Sequence, residues 1–222
     1  MAVCAFMISI QNLCKSFDGK PVLTGLSLEI PDGSVCGVYG KSGIGKSTLA
    51  KILCGVLRPD AGNVLLDGMA LYDAGYRYDR KNGVGIQMVY QQPYATLDPR
   101  QRIGDGFREL ISYHRFSGRG GEQALTEETL RKVDLTPEIL GHLPHQISGG
   151  EAQRVAIARS LLFQPKLLIL DEAASMLDVS TQANVLGMVR RQMLQTGGSI
   201  LLISHDEALI HFYCDQIYRF EQ

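Results

Sequence analysis

Short apolar runs at 35–39, 86–90, 167–170 and 200–203 each stop at a polar or glycine-rich segment. Uninterrupted apolar runs of this length suit strands buried on both faces, as in a parallel sheet covered by helices. Between 49 and 57, and again between 152 and 162, apolar residues recur at helical spacing. Strands alternating with helices predict an α/β fold with a mainly parallel sheet. Toward the N-terminus, 7–13, 22–30 and 63–71 read as a smaller antiparallel sheet, the last with the hairpin signal Asp67-Gly68. From Gln92 to about Gly150 the pattern changes. Residues 97–110 and 125–135 read as helices joined by Phe116-Ser117-Gly118-Arg119-Gly120-Gly121, a flexible connector. The expectation is one domain over 1–222, with a core of 1–91 and 151–222 and a helical insert at 92–150.

Composition narrows the class. A chain of 222 residues, 45% hydrophobic and 20% charged, makes one large domain, or at most two small ones, with a real core and excludes disorder. The formal net charge of −1 argues against a strongly basic nucleic-acid module, so no nucleic-acid partner is expected. Cys4, Cys14, Cys36, Cys54 and Cys214 never form C-x-x-C and read as thiols in a reducing compartment. No run approaches the ~18–20 apolar residues of a membrane span. Residues 1–10 lack the positive start and cleavage pattern of a secretory signal and read as a strand. The expected protein is cytosolic unless a partner carries it to a membrane.

Gly40-Lys41-Ser42-Gly43-Ile44-Gly45-Lys46-Ser47-Thr48 fits G-x-x-x-x-G-K-[ST] between an apolar strand and a helical pattern. Its glycines let successive N–H groups point inward at phosphate oxygens. Lys46 can reach the terminal phosphates, Ser47 offers a hydroxyl to Mg²⁺, and the following helix adds its positive end. Asp171-Glu172 closes the apolar run at 167–170: Asp171 suits a magnesium site and Glu172 can orient or deprotonate an attacking water. Gln91-Gln92 and Ser204-His205-Asp206 close two other runs. Ligands of open α/β sheets sit outside the carboxyl ends of strands, so Gln91, Asp171, Glu172 and His205 are expected to converge, His205 as a γ-phosphate sensor. Ser148-Gly149-Gly150-Glu151 has the form of a capping box, yet two glycines in a first helical turn cost ~1 kcal/mol each against alanine. Bare N–H groups there suit an anionic ligand.

Together these residues resemble an ATP-binding cassette (ABC) ATPase over almost the whole chain. Gly40–Thr48 matches the Walker A loop, 167–172 the Walker B strand with its catalytic Glu172, and 148–154 the ABC signature. Gln91 falls on the Q-loop, Ser175-Met176-Leu177-Asp178 on the D-loop and His205 on the switch histidine. The resemblance implies ATP and Mg²⁺ as cofactors, with Glu172, His205, Lys46 and Gln91 catalytic and Ser47, Gln91 and Asp171 at the metal. It implies nucleotide contacts from Gly40, Lys41, Ser42, Gly43, Gly45, Lys46, Ser47, Thr48, Ser148, Gly149, Gly150 and Asp178, and stacking of Phe17 on adenine. It further implies head-to-tail pairing with a second cassette, integral membrane permease subunits, a solute-binding protein, and a peripheral place on the cytoplasmic face of the inner membrane.

The stretch Val89 to Arg100, with Gln91-Gln92-Pro93, and Leu143-Pro144-His145-Gln146 are similar to dipeptide, oligopeptide and nickel importer ATPases. Import of a peptide, nickel or metal-chelate solute is therefore expected. His142 and His145 straddle Pro144 and read as a structural turn, not a metal pair. Three departures from the family pattern stand out: Glu151 for the commoner Gln, Met176 in the D-loop, and an end at Gln222 where relatives usually continue. Rival readings are a non-transport mechanochemical ATPase, a P-loop phosphotransferase and a catalytically dead binding module. The first usually brings coiled-coil inserts, zinc modules or a second cassette. The second has no need of Ser148-Gly149-Gly150, and the third no need of intact Lys46, Asp171, Glu172 and His205.

Overall fold

The computed structural model describes residues 6–116, 121–173 and 179–220. They divide into two compact units, the first comprising Met1–Met88, Pro165–Glu172 and Met193–Gln222, the second Val89–Gln164 and Ala173–Gln192.

The first unit holds both sheets. Strands β1 (Phe6–Phe17) and β2 (Lys20–Pro31) form a hairpin through Asp18 and Gly19, both at positive φ. Two such residues give the turn whose twist matches its strands. Strand β4 (Ala61–Leu66) runs antiparallel to β1 and reaches β5 (Met69–Ala70) through Asp67 and Gly68, again both at positive φ. The order β2-β1-β4-β5 is the small antiparallel sheet expected from the sequence.

The second sheet is built from β3 (Val35–Tyr39), β6 (Ile86–Val89), β7 (Leu167–Asp171), β8 (Ser199–Ser204) and β9 (Gln216–Arg219), in the order β6-β7-β8-β3-β9. β3 runs parallel to both β8 and β9, and β7 parallel to β8. Helix α1 (Lys46–Leu53) follows β3, the short α2 (Arg80–Gly83) precedes β6, and α7 (Glu207–Tyr213) links β8 to β9. Ile8, Ile10 and Ile30 of the hairpin, Leu49, Ile52 and Leu53 of α1, and Leu167, Ile169, Leu201 and Ile203 share one core. The continuous apolar runs of β7 and β8 follow from burial on both faces. Gly37 sits mid-strand because a Cβ there would lie 2.7 Å from both Cys214 Sγ and Ile210 Cγ2.

The second unit carries α3 (Ile103–His114), α4 (Gly121–Arg131), α5 (Gly149–Leu161) and most of α6 (Val179–Gln195). α3 buries Ile103, Phe107 and Ile111, one helical face. It starts later than the spacing at 97–110 suggests: Pro99 disfavours helix at Asp98, whose Oδ1 instead accepts the Arg100 N–H at 2.9 Å. The unit reaches past 92–150 because α5 is tied to the chain after β6. Tyr94 Oη donates to the Ile147 carbonyl at 2.9 Å and Arg159 Nη1 to that of Thr96 at 2.7 Å. Among the described residues, no helix is long and apolar enough to cross a membrane.

Candidate functional site

Parallel pairing decides where the chemistry-bearing residues of the first unit meet. Tyr39 is in register with both Ser204 and Arg219, and Asp171 with Ile203, so four strands end on the same side. The phosphate-type loop leaves β3 there and enters α1 at Gly45. Gly45 has φ 110° and caps the helix without a side-chain bond, and a Cβ on it would meet Leu23 Cδ2 at 2.8 Å. Glycine is therefore required twice over, by backbone angle and by space. Lys46 is 5% exposed, and its Nζ donates to the carbonyls of Gly40 at 2.7 Å and Lys41 at 3.0 Å. An ammonium has three N–H donors, so one remains for an anion inside the loop.

Ser47 Oγ donates to Asp171 Oδ1 at 3.2 Å. Burial pushes the Asp171 carboxyl up from its ordinary value; the Ser47 bond counteracts this, while Glu172 adds to it. A half-buried carboxylate beside a hydroxyl is a hard-oxygen pair of the type magnesium prefers. Glu172 follows at a left-handed φ of 50°, with its N–H bonded to the Ile203 carbonyl at 2.9 Å. That conformation costs an L-residue ~1–2 kcal/mol, and the bond to β8 holds it. Its Oε1 lies 3.2 Å from His205 Nδ1. A carboxylate only accepts, so the proton belongs on that nitrogen.

The fold thus brings Lys46, Ser47, Asp171, Glu172 and His205 together around one loop. A cleft of about 700 Å³ opens beside them, lined by Lys41, Ser42, Gly43 and His205 and also by Tyr39, Glu207 and Arg219, which the sequence reading did not single out. Tyr39 was legible as the last residue of its apolar run. Arg219 enters through register alone, and its guanidinium carbon lies 5.6 Å from the Tyr39 ring centroid. Phe17 ends β1 and is 41% exposed, with Lys15 Nζ 5.4 Å from its ring centroid.

The other sequence-selected residues belong to the second unit. Ser148 caps α5: its Oγ accepts the Glu151 N–H at 3.3 Å, and Glu151 Oε2 accepts from both the N–H and the hydroxyl of Ser148 at 2.8 Å. Gln91, with Gly149 and Gln153, lines a cavity of about 240 Å³. His142 Nδ1 lies 3.1 Å from the Glu138 carbonyl, inside its turn. The D-loop match at 175–178, with Asp178, falls outside the described residues. Among those described, no group of three or more His, Cys, Asp or Glu is placed to hold a metal.

Residues 23–175 match the family model described as ABC transporter. The chain belongs to the ABC transporter family. Among its ABC relatives, the di/tripeptide transport ATP-binding protein DppF of Pseudomonas aeruginosa is 37% identical over 207 residues, 93% of this chain and 64% of that protein. The oligopeptide transport ATP-binding protein OppF of Escherichia coli is 37% identical over 196 residues, 87% of this chain and 58% of that protein. A putative peptide import ATP-binding protein of Brucella ovis is 31% identical over 215 residues, 95% of this chain and 68% of that protein. The chain therefore spans roughly three-fifths to two-thirds of the length of these curated relatives. Among solved structures, CbiO1 of Clostridium perfringens superposes with a TM-score of 0.83 at 24% identity, over 98% of this chain and 85% of that one. The α/β architecture of the first unit is thus an ABC fold.

Proposed function

We propose that the chain is the ATP-hydrolysing subunit of an ABC transporter, energising import of a peptide-type solute through separate membrane subunits. The observation that carries this reading is the first unit's arrangement: a glycine loop around buried Lys46, with the Ser47–Asp171 and Glu172–His205 pairs beside it. The N–H groups of the loop and the remaining donor of Lys46 hold the ATP phosphates, and Phe17 stacks on the adenine. Ser47 and Asp171 would hold Mg²⁺, with Gln91 as a further ligand by resemblance; bound there, the ion neutralises charge on the phosphates. Glu172 orients the attacking water and takes its proton. His205 keeps that carboxylate aimed and senses the γ-phosphate.

Ser148, Gly149, Gly150 and Asp178 complete the nucleotide site of a second cassette, so turnover belongs to a head-to-tail pair. Of the peptide, nickel and metal-chelate solutes expected from the resemblance, peptides are the class that the names of the relatives support. Integral permeases and a solute-binding protein complete the system, with this chain peripheral on the cytoplasmic face of the inner membrane.

Steady-state ATPase assays on the purified chain test the reading. Activity per chain should fall on dilution, and Glu172→Gln should lower kcat by ~10²–10⁴-fold while ATP stays bound. Normal turnover in Glu172→Gln would remove the general base, and dilution-independent activity would remove the pair.

A further inference from the structure

Strand β1 outruns one of its two neighbours just before Phe17. Its pairing with β4 ends at Cys14 and Ala61, whereas β2 stays with it as far as Phe17 and Lys20. Asp60, the residue before β4, takes over the edge that β4 leaves. Its N–H donates to the Cys14 carbonyl at 2.9 Å, and its Oδ2 accepts the Ser16 N–H at 2.6 Å. Its Oδ1 accepts from Lys15 Nζ at 2.7 Å. One residue thus fastens the strand end and a lysine together. The Lys15 side chain is only 15% exposed, and its ammonium lies 5.4 Å from the Phe17 ring centroid. That is within the ~6 Å reach of a cation–π contact. Phe17 still keeps 41% of its surface exposed, which leaves the ring room for a planar partner.

We propose that Lys15 and Asp60 are a positioning pair for the nucleotide base, holding the Phe17 ring in the pose in which it stacks. The inference rests on the reading of Phe17 as the adenine platform. A phenylalanine at an exposed strand end is free to change rotamer, and ordering it on binding would cost affinity. The bond from Ser16 to Asp60 keeps the strand end from fraying, and the lysine covers one face of the ring. The base takes the other face. An ion pair this close to water adds little to stability, so its effect belongs to the ring that it orients. Neither residue touches the nucleotide; both act through Phe17.

The test is titration calorimetry of the full chain with ATP and, separately, with inorganic tripolyphosphate, which keeps the phosphates and lacks the base. Magnesium is left out so that no turnover intervenes. Phe17→Ala should weaken ATP about tenfold and leave tripolyphosphate unchanged. Lys15→Met, which keeps the stem and loses the charge, and Asp60→Asn should each weaken ATP about three- to fivefold. Tripolyphosphate should hold within about 1.5-fold in both, which also shows that the phosphate loop is folded. Lys15→Arg, whose cation can lie on a ring, should recover most of the loss. In a Phe17→Ala background Lys15→Met should change nothing further, because the lysine acts through the ring. If Phe17→Ala leaves ATP binding intact, the stacking reading falls and takes the pair's role with it. If Phe17→Ala weakens ATP while Lys15→Met and Asp60→Asn do not, only the positioning pair falls. Equal losses for ATP and tripolyphosphate in the pair's variants would also overturn it, by showing an effect on the phosphates and not on the base.

Discussion

Helices α1 and α5 both begin at glycine-rich turns, and they satisfy their first N–H groups in opposite ways. α1 starts at Gly45 with no side-chain cap and no acidic residue in its first turn, so its positive end stays available to an anion. α5 starts at Ser148 and closes on itself, with Ser148 and Glu151 bonding each other's main-chain N–H. The glycines differ as well. Gly45 is demanded by its own chain, through φ 110° and the Leu23 contact, whereas a Cβ on Gly149 would meet nothing within 4 Å. The first start is shaped from within. Gly149 has no internal steric reason to be bare, which is what a surface kept smooth for another molecule predicts.

Lys46→Ala breaks the first half of this contrast most severely. Removing a buried ammonium's hydrogen bond to phosphate should weaken ATP binding by about 10–100-fold, read by titration with a fluorescent ATP analogue. Ser148→Ala in the same assay should leave the affinity of the dilute chain within about twofold, although its concentrated ATPase falls. Equal losses of affinity in both variants would mean that the two helix starts contact one nucleotide in a single chain.

The glycines sharpen the contrast through stability. Gly45→Ala must strain the backbone and displace Leu23, a cost of ~1–3 kcal/mol, or about 3–10 °C in Tm at this length. Gly149→Ala should leave Tm level or raise it by up to ~1 kcal/mol equivalent, while lowering the turnover of the concentrated protein. A stability loss at Gly149 matching that at Gly45 would show that the second turn is also demanded from within.

Asp171 gives a smaller effect of the same kind. Its raised pKa means that ionisation costs the fold, and this cost grows as pH rises from the ordinary aspartate range through the folded value. Asp171→Asn should therefore raise Tm by about 1–2 °C at neutral pH without magnesium, while abolishing magnesium-dependent ATPase. A lower Tm would mean that the Ser47 bond outweighs the burial cost.

The first unit was the more legible in sequence because its signals are local. The apolar runs of β3, β7 and β8 are continuous since helices and the antiparallel sheet cover them, and Asp67-Gly68 needs only its own turn. Loop, strand end and histidine then meet through parallel register, which the α/β pattern implies. The second unit obeys weaker rules. Helix α6 was not expected: its first turns are polar, and among the described residues its buried face is marked by Val185, Leu186, Met188, Val189 and Met193. At 97–110 the apolar spacing was real, but the Asp98-Pro99 turn took precedence over its first part. The pairing of Glu172 with His205, 33 residues apart, was beyond periodicity, because it depends on a single left-handed residue after β7.

The smallest test uses pH on the closed helix start. The Glu151 carboxyl is held below the usual glutamate range, first by the Ser148 main-chain N–H and then by its hydroxyl. A depressed folded pKa favours the ionised form in the native state. The contribution is full above the unfolded value of ~4.3 and is lost as pH falls through the folded one. Because the group is largely exposed, screening keeps it below ~1 kcal/mol. Glu151→Gln retains an oxygen acceptor without the charge, so its Tm should trail the parent near neutrality and converge with it toward pH ~3. A gap that persists unchanged in acid would mean that Glu151 closes α5 by shape and not by charge. The difference between an open and a self-neutralised helix end would then have to rest on Ser148 alone.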